Sequence, residues 1–258
     1  MKIAISGKGG VGKTTLAAAL ARVYAGRGAR VLAVDADPAT SLAQALGVPA
    51  ELAATIRPIT EMKELIEERT GTRPGTYGGI FSMNPDVDDI PDRFALELGG
   101  VRLLVTGGLK DAAAGCYCPE NELLKVLLLH IFTERDEVVI LDMEAGIEHL
   151  TRGTTAAVDA MIIVVEPGQR SVRVALTIER LAGQLGIKRV YFVANKVADD
   201  AQLPILRALL GGRRLIGVVR SSRAIAEADL LGQAVDQASP ELMARVERIV
   251  AAIESPVA

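Results

Sequence analysis

The sequence of 258 residues predicts an α/β fold with a doubly wound, mainly parallel sheet that carries helices on both faces. Two patterns indicate this class. Short runs rich in Val, Ile and Leu, without strict polar and apolar alternation, are typical of strands buried on both faces. These runs alternate with longer amphipathic stretches, as right-handed βαβ crossovers require. Because only 3% of the residues are aromatic while half are hydrophobic, the core must be aliphatic.

In chain order, the apolar runs predict strands over residues 3–6, 31–34, 101–106, 138–142, 161–165, 190–194 and 215–219. The amphipathic stretches predict helices over residues 14–26, 61–69, 119–132, 171–185, 201–210 and 240–253. Residues 70–100 are rich in Gly, Pro and Asp, so we expect an irregular excursion over one edge of the sheet there. No linker, low-complexity tract or repeat divides the chain, which predicts a single domain over residues 1–258.

Composition excludes several classes of protein. Two cysteines are too few for a disulfide scaffold, and the first seven residues lack the layout of a signal peptide. The longest apolar runs, residues 126–132 and 160–165, are far shorter than the ~20 residues that span a bilayer. A net charge of −3 gives no general attraction to nucleic acid, and the scarcity of aromatic rings argues against an RNA-binding sheet. We therefore expect a cytoplasmic protein with neither a membrane nor a nucleic-acid partner.

A phosphate-binding loop is predicted between the first strand and the first helix. Residues 7–14 read G-K-G-G-V-G-K-T, which matches G-x-x-x-x-G-K-[ST] in the context that this motif needs. Lys13 is expected to reach the β- and γ-phosphates, Thr14 to ligate Mg²⁺ and Thr15 to contact the α-phosphate. A glycine-rich turn without a ligand is the alternative, and the eight matching positions argue against it. The predicted nucleotide-binding residues are Gly9, Gly10, Val11, Gly12, Lys13, Thr14 and Thr15.

Lys8 is a second lysine within the same loop. A loop that already wraps one nucleotide has little room for it, so Lys8 is expected to point outward, toward a second subunit or toward solvent. Residues 7–15 resemble the deviant phosphate loop of the MinD/ParA/nitrogenase-iron-protein class of ATPases. In that class the lysine that matches Lys8 crosses the dimer interface to the partner's phosphates. The resemblance therefore implies a homodimeric ATPase in which Lys8 and Lys13 both act in catalysis.

Two aspartates follow the strand predicted at residues 31–34. The carboxyl ends of parallel strands face the ligand crevice, which places Asp37 beside the phosphates. Asp37 can there position or deprotonate the attacking water, as the switch I aspartate does in the resembled class. Capping of the turn before Pro38 is the alternative role. Asp35 is interpreted as structural, or as a ligand of Mg²⁺ through water.

The strand predicted at residues 138–142 ends in Asp142, the expected Walker B carboxylate that holds Mg²⁺ through water. Residues 144–146 follow it and look like switch II, where the Gly146 N–H is expected to sense the γ-phosphate. The cofactors implied by these residues are ATP or ADP together with Mg²⁺.

Asn195 and Lys196 directly follow the strand predicted at residues 190–194, and both are predicted to bind the nucleotide. The Asn195 carboxamide is expected to pair with a purine edge. Guanine readers place a carboxylate two residues after the lysine, but that position is Ala198 here and Asp199 falls one place late. ATP is therefore favoured over GTP.

Cys116 and Cys118 are the chain's two cysteines. They follow the strand at residues 101–106 on the nucleotide side, and Pro119 is a favoured first residue of a helix, so Cys118 is expected at a helix N-terminus that favours a thiolate. One C-x-C motif supplies two thiolates, and a two-fold dimer would bring four together. Four sulfurs suit Zn²⁺ or an Fe–S cluster in a tetrahedron, or Ni²⁺ in a plane. Two packed thiols or a redox disulfide are the alternatives.

Residues 115–121 (G-C-Y-C-P-E-N), 84–91 and 142–149 resemble the CooC family of nickel-insertion ATPases, which mature carbon monoxide dehydrogenase. The resemblance implies a homodimer that holds nickel, or zinc in vitro, at the paired C-x-C motifs. It also implies that ATP hydrolysis is coupled to metal delivery to a client metalloenzyme. The similar accessory ATPase of acetyl-CoA synthase shares the pattern and remains an alternative.

Two further classes compete. A MinD-type or ParA-type positioning ATPase needs a basic membrane helix or a DNA patch, whereas residues 241–250 carry mixed charges that predict packing on the sheet. An electron-transfer protein like the nitrogenase iron protein has widely separated cluster cysteines, unlike this C-x-C. Of the two histidines, His130 is interpreted as a packing or surface residue. His149 follows switch II, and its approach to the phosphates or a metal is the less favoured reading.

Overall fold

The computed structural model describes residues 1–74, 80–108, 118–144, 150 and 152–255. Within these residues eight strands form one sheet. They are β1 (Lys2–Gly7), β2 (Val31–Asp35), β3 (Leu96–Leu98), β4 (Val101–Val105), β5 (Val138–Asp142), β6 (Ala160–Val165), β7 (Val190–Val197) and β8 (Leu215–Arg220). The spatial order is β3-β4-β2-β5-β1-β6-β7-β8, and every neighbouring pair is parallel except β3 with β4.

The same residues form the helices that connect and cover these strands. They are α1 (Lys13–Gly26), α2 (Leu42–Ala45), α3 (Ala50–Ala53), α4 (Lys63–Thr70), α5 (Ile90–Phe94), α6 (Pro119–Thr133), α7 (Arg152–Ala156), α8 (Gln169–Gln184), α9 (Gln202–Leu210), α10 (Arg223–Leu231), α11 (Val235–Ala238) and α12 (Pro240–Glu254). A short 3-10 turn, Ile59–Glu61, precedes α4.

Two helical layers bury the two faces of the sheet. On β2, Leu32 and Val34 face the layer formed by α4, α6, α8 and α9, whereas Val31 and Ala33 face the layer formed by α1 and α12. All four side chains are almost fully buried. Because β2 is buried on both sides, it reads as a continuous apolar run, and the predicted doubly wound α/β fold is confirmed.

The strand register brings three strand ends to one edge. Asp35 at the end of β2 lies opposite Asp142 at the end of β5, and Ile5 of β1 pairs with the same Asp142. Gly7 at the end of β1 pairs with Val164 of β6. The loops that leave β1, β2 and β5 therefore meet at the carboxyl edge of the sheet, where open α/β sheets bind their ligands.

At the amino-terminal ends of the strands, a buried carboxylate holds the sheet together. The Glu137 side chain is 1% exposed and accepts hydrogen bonds from Arg30 at 3.1 Å, Arg102 at 2.9 Å and Arg135 at 3.2 Å. Asp92, in the middle of α5, also binds Arg102 and Arg135. The network joins the amino-terminal ends of β2, β4 and β5, so it fixes the side of the sheet away from the ligand edge.

The seven predicted strands and six predicted helices are confirmed, but the expectation of an irregular excursion over residues 70–100 is wrong in part. That stretch contains α5 and the edge strand β3. Gly99 (φ 55°) and Gly100 (φ 81°) join β3 to β4 with two consecutive left-handed residues, the backbone that a tight antiparallel hairpin requires. The short helices α2, α3, α5, α7 and α11 and the longer helix α10 were not predicted from the sequence.

The C-terminal helix α12 packs on the sheet, as its mixed charges predicted. Val246, Ile249, Val250 and Ile253 are buried, and Ile249 lies so close to Gly217 of β8 that a Cβ there would overlap it. Ser239 caps the helix by accepting a hydrogen bond from Leu242 N at 3.2 Å. Among the described residues, no helix combines the length and apolar character needed to cross a bilayer.

Candidate nucleotide site

The loop between β1 and α1 has a backbone that glycine makes possible. Gly10 (φ 76°) and Gly12 (φ 92°) are left-handed, and Gly12 is the residue at which α1 begins. A Cβ on Gly7 would lie 2.5 Å from the carbonyl oxygen of Val164, so β1 and β6 approach too closely there for any side chain. The loop thereby presents the first N–H groups of α1 to the cleft, the arrangement that binds phosphate at a helix N-terminus.

Lys13 is the first residue of α1 and is only 6% exposed. Gly9, Gly10, Gly12, Lys13, Thr14 and Thr15 all line one cleft of about 760 Å³, and Val11 is buried behind it. The structure therefore brings the predicted phosphate-loop residues together around a space large enough for a nucleotide.

Asn195 and Lys196 hold this loop from the β7 side. The Asn195 side-chain amide donates to Val11 O at 2.7 Å, and Lys196 Nζ donates to Gly10 O at 2.5 Å. The pairing of β7 with β8 is irregular between Ala194 and Val197, and Lys196 is left-handed (φ 55°), which turns these two side chains toward the loop. Contact of Asn195 with a purine edge stays a prediction, and so does nucleotide binding by Lys196.

Asp142 has the environment of a metal-facing carboxylate. It is fully buried, and neither carboxylate oxygen has a hydrogen-bond partner among the described residues. Burial raises the pKa of Asp142 to about 7; the nearby Thr14 hydroxyl opposes the rise, although its geometry falls short of a hydrogen bond. An unpartnered buried carboxylate beside a threonine hydroxyl and a phosphate loop fits the water-mediated binding of Mg²⁺.

Asp35 is structural, in agreement with the first of its two predicted roles. Its Oδ2 accepts a hydrogen bond from Leu42 N at 2.9 Å, and its Oδ1 accepts one from Asp37 N at 3.2 Å. Complete burial raises the pKa of Asp35 to about 6, and these backbone donors oppose the rise. The buried carboxylate therefore fixes the start of the loop that carries Asp37.

Asp37 lines the cleft and also caps its own turn. Its Oδ1 accepts a hydrogen bond from Ala39 N at 2.8 Å, and its carbonyl oxygen accepts one from Thr40 N at 3.1 Å. The predicted alternative of turn capping is thus present in the structure. It engages one carboxylate oxygen and leaves Asp37 facing the cleft, so capping and a role toward water are compatible.

Lys8 is paired within its own chain. Lys8 Nζ lies 3.6 Å from Oε1 of Glu166, the residue after β6, and the two side chains are 40% and 32% exposed. Pairing of the ends of β1 and β6 brings the two residues together. An ion pair this exposed contributes at most about 1 kcal/mol, so Lys8 is available to a stronger anion.

Of the two cysteines, only Cys118 lies within the described residues. It is half-buried and immediately precedes α6, whose first residue is Pro119, as predicted. Cys116, Gly146 and His149 fall outside the described residues. Among the residues that are described, no group of three or more His, Cys, Asp or Glu side chains is placed to hold a metal ion. His130 Nδ1 lies 3.2 Å from Asp88 Oδ1, which agrees with its interpretation as a surface or packing residue.

A family model described as the CobQ/CobB/MinD/ParA nucleotide binding domain matches residues 2–235. The chain belongs to this family. A ParA family ATPase from Chlorobium tepidum has the same fold, with a TM-score of 0.69 at 19% identity over 98% of this chain and 97% of that one.

Two relatives match this MinD/ParA-family protein over nearly its whole length. It is 45% identical to the carbon monoxide dehydrogenase accessory protein CooC of Rhodospirillum rubrum, over 98% of this chain and 96% of the relative. It is 44% identical to an uncharacterized ATP-binding protein of Methanocaldococcus jannaschii, over 92% of this chain and 91% of the relative. The predicted membership of the MinD/ParA class is confirmed, and so is the resemblance to the CooC family.

Part of the cleft wall of this MinD/ParA-family protein was not predicted from the sequence. Arg220, Ser221, Ser222, Ile225, Ala226 and Asp229 line it from the end of β8 and from α10. The usable signal was the position of Ser221 and Ser222 directly after a parallel strand, where a loop must reach the ligand edge. Glu166, the partner of Lys8, carries no local motif and depends on the pairing of β1 with β6.

Proposed function

We propose that this protein is a homodimeric ATPase that delivers nickel to carbon monoxide dehydrogenase. The ATPase part rests on the unpartnered Asp142 carboxylate beside the phosphate loop. The client is proposed from the 45% identity with the accessory protein CooC over 98% of the chain. Similarity at this level over nearly the whole of both chains supports the proposal that the two proteins serve the same client.

Nucleotide binding begins with the backbone N–H groups of residues 9–15, which surround the phosphates, while Lys13 neutralises the β- and γ-phosphates. Thr14 and Asp142 would hold Mg²⁺, which supplies charge neutralisation on the phosphate oxygens when it is bound. Asp37 orients the attacking water and accepts its proton through the oxygen not engaged in the turn. Gly146 is proposed to sense the γ-phosphate from switch II. Since position 198 is alanine, the nucleotide is proposed to be ATP rather than GTP.

Dimerisation is proposed to complete two sites at once. Lys8 leaves its weak pair with Glu166 and reaches the phosphates of the partner subunit, where a polyanion attracts it more strongly than one carboxylate does. Cys116 and Cys118 from the two subunits supply four thiolates for the nickel cargo, and Zn²⁺ is the metal expected to replace it in vitro. The partial positive charge at the N-terminus of α6 favours the thiolate form next to it.

A positioning ATPase is less well supported. Such a protein needs a surface for membrane or DNA, whereas the apolar side of α12 is buried against α1 and β8. We therefore propose neither a membrane nor a nucleic-acid partner, and a cytoplasmic location for the complex with its client enzyme.

Nickel transfer to the client tests this function. Nickel-free carbon monoxide dehydrogenase is incubated under anaerobic conditions with the nickel-loaded protein and ATP, and its activity is followed with time. Activation is expected with ATP and is expected to be lost in Lys13→Ala, whereas Lys188→Ala, an exposed lysine far from the cleft, should behave as wild type. Equal activation without ATP or with Lys13→Ala would refute the proposal. Activation of nickel-free acetyl-CoA synthase alone would assign the other client.

A further inference from the structure

Ser41 is the N-cap residue of α2, but its hydroxyl does not cap that helix. A serine at this position usually accepts a hydrogen bond from an N–H group in the first turn of its own helix. Here only the carbonyl oxygen of Ser41 takes part in the helix, by accepting a hydrogen bond from Ala45 N at 3.2 Å. The Ser41 side chain is therefore not used by the helix that it begins.

The partner of the Ser41 hydroxyl is Thr14, the residue proposed to ligate Mg²⁺. Ser41 Oγ lies 3.3 Å from Thr14 Oγ1, and both residues line the nucleotide cleft. They are 27 positions apart in the chain, so the contact depends on the fold and not on a local motif. It joins the phosphate loop to the loop after β2, which also carries Asp37.

The backbone holds Ser41 in place from both sides. Before it, Thr40 has a φ of 25°, which a β-branched residue rarely adopts, and Thr40 N closes the turn by donating to Asp37 O at 3.1 Å. After it, Leu42 N donates to the fully buried Asp35 carboxylate at 2.9 Å. Strained backbone persists only where its surroundings hold it. The fold itself therefore aims the Ser41 hydroxyl at Thr14.

The chemistry of a metal-ligating hydroxyl gives this contact a use. The Thr14 hydroxyl has one proton and two lone pairs, so when a lone pair faces a cation the proton needs an acceptor elsewhere. Ser41 Oγ is within hydrogen-bond distance to accept it, whereas neither oxygen of Asp142 has a hydrogen-bond partner in the described part of the chain. Because Mg²⁺ demands nearly ideal octahedral geometry, the orientation of Thr14 bears directly on metal affinity.

We propose that Ser41 is a positioning residue for Mg²⁺, which accepts the hydroxyl proton of Thr14 in a hydrogen bond and so turns a Thr14 lone pair toward the cation. No proton is transferred, and Thr14 stays a neutral hydroxyl. Because Ser41 and Asp37 share one loop, the same contact ties the loop that orients the attacking water to the metal site. The inference rests on the proposed Mg²⁺ site at Thr14 and Asp142, to which it adds the residue that orients Thr14.

Metal affinity, measured apart from hydrolysis, tests this role. Mn²⁺ stands in for Mg²⁺, and its binding to the ADP complex is followed by electron paramagnetic resonance with protein in excess over ADP. Ser41→Ala should weaken Mn²⁺ binding by about tenfold, the lower end of the loss expected when a residue that orients a metal ligand is removed. Its affinity for ADP in chelator should equal that of wild type. Ser41→Thr keeps the hydroxyl and should restore Mn²⁺ binding.

Two further variants show whether Ser41 acts through Thr14. In a Thr14→Ala background, Ser41→Ala should weaken Mn²⁺ binding no further, since the group that Ser41 orients is already gone. Ser239→Ala is the matched control, because Ser239 is an N-cap serine that does cap its helix, α12, by accepting from Leu242 N. It removes a hydroxyl at a helix start outside the cleft and should keep the wild-type Mn²⁺ affinity.

The outcomes separate this inference from the proposed function. Wild-type Mn²⁺ affinity in Ser41→Ala, no recovery in Ser41→Thr, or an equal loss in Ser239→Ala would overturn the role of Ser41. So would a further loss from Ser41→Ala in the Thr14→Ala background, because Ser41 would then act without Thr14. Each of these results leaves the proposed ATPase standing if Thr14→Ala itself weakens Mn²⁺ binding. Undiminished Mn²⁺ binding in Thr14→Ala would refute the proposed metal site and this inference with it.

Discussion

Replacing Asp142 with asparagine should stabilise the protein at high pH when metal and nucleotide are absent. Burial raises the pKa of this carboxyl from 3.8 to about 7, and its two oxygens have no hydrogen-bond partner among the described residues. Because the native-state pKa lies above that of the unfolded chain, the native state binds the extra proton. The contribution of this carboxyl to the stability of the native state is therefore fully present below pH ~4 and is lost progressively as the pH rises to ~7.

The size of the effect follows from the same shift. A difference of roughly three pKa units corresponds to a native-state cost of ~4 kcal/mol at pH 8 and ~2 kcal/mol at pH 5. Asparagine removes this cost and introduces a buried amide without an assigned acceptor, which costs about 1–3 kcal/mol at every pH. The gain of Asp142→Asn over wild type should therefore be about 2 kcal/mol larger at pH 8 than at pH 5.

Urea unfolding at pH 5 and pH 8, in chelator and without nucleotide, measures this difference. Adding Mg²⁺ and ADP at pH 8 should then stabilise wild type more than Asp142→Asn, because the variant has lost the carboxylate that the metal needs. A stability change that is the same at both pH values would refute the assignment of the raised pKa to Asp142. Equal stabilisation of the two proteins by Mg²⁺ and ADP would refute its role toward the metal.

Four further substitutions test Lys13, Lys8, Asp37 and the buried Glu137. Lys13→Ala should weaken ATP binding, measured by calorimetry, by about 10–100-fold, since it removes a charged hydrogen-bond donor. Lys8→Ala should still bind ATP but should no longer release phosphate from it. Mixed dimers of Lys8→Ala and Asp37→Ala subunits should recover ATPase activity at one of the two sites, and a lack of activity in them would contradict action of Lys8 across the interface. Asp37→Asn should lower phosphate release by at least about 100-fold while ATP stays bound, and a wild-type rate would refute its role. Glu137→Ala should lower the free energy of unfolding by about 3 kcal/mol, since three arginines lose a buried partner; an unchanged urea midpoint, as expected for the exposed Glu97→Ala, would contradict this.

The fold was predictable where one physical signal dominates. The interior strands are buried on both faces, so β2 appears as an apolar run whatever its neighbours are. The edge strand β3 has no such run, because Leu96 and Leu98 are only partly buried and Glu97 is exposed, and its signal was the pair Gly99-Gly100 instead. The short helices α2 and α3 span four residues each, too few for a helical period to show.

In the site, too, the residues that are close in sequence were predictable, whereas their partners from distant strands were not. The phosphate loop is formed by consecutive residues, so its motif can be recognised in the sequence. The partners of the loop come from distant strands: Asn195 reaches Val11 and Lys8 reaches Glu166 only because β6 and β7 follow β1 across the sheet. The Pro38 ring lies against the backbone of Gly108 only because β2 and β4 are neighbours, an order that the strand runs alone do not encode. A single domain over the whole chain stays a prediction.

Anaerobic metal analysis of the size-separated protein tests the central claim most directly. The protein is loaded with nickel, chromatographed with and without ATP, and the metal and protein in each fraction are quantified. We predict one nickel per two chains, in the dimer fraction, with tight binding lost in Cys118→Ala while ATP binding stays near the wild-type level. One nickel per chain in a monomer, or an undiminished nickel content in Cys118→Ala, would contradict it.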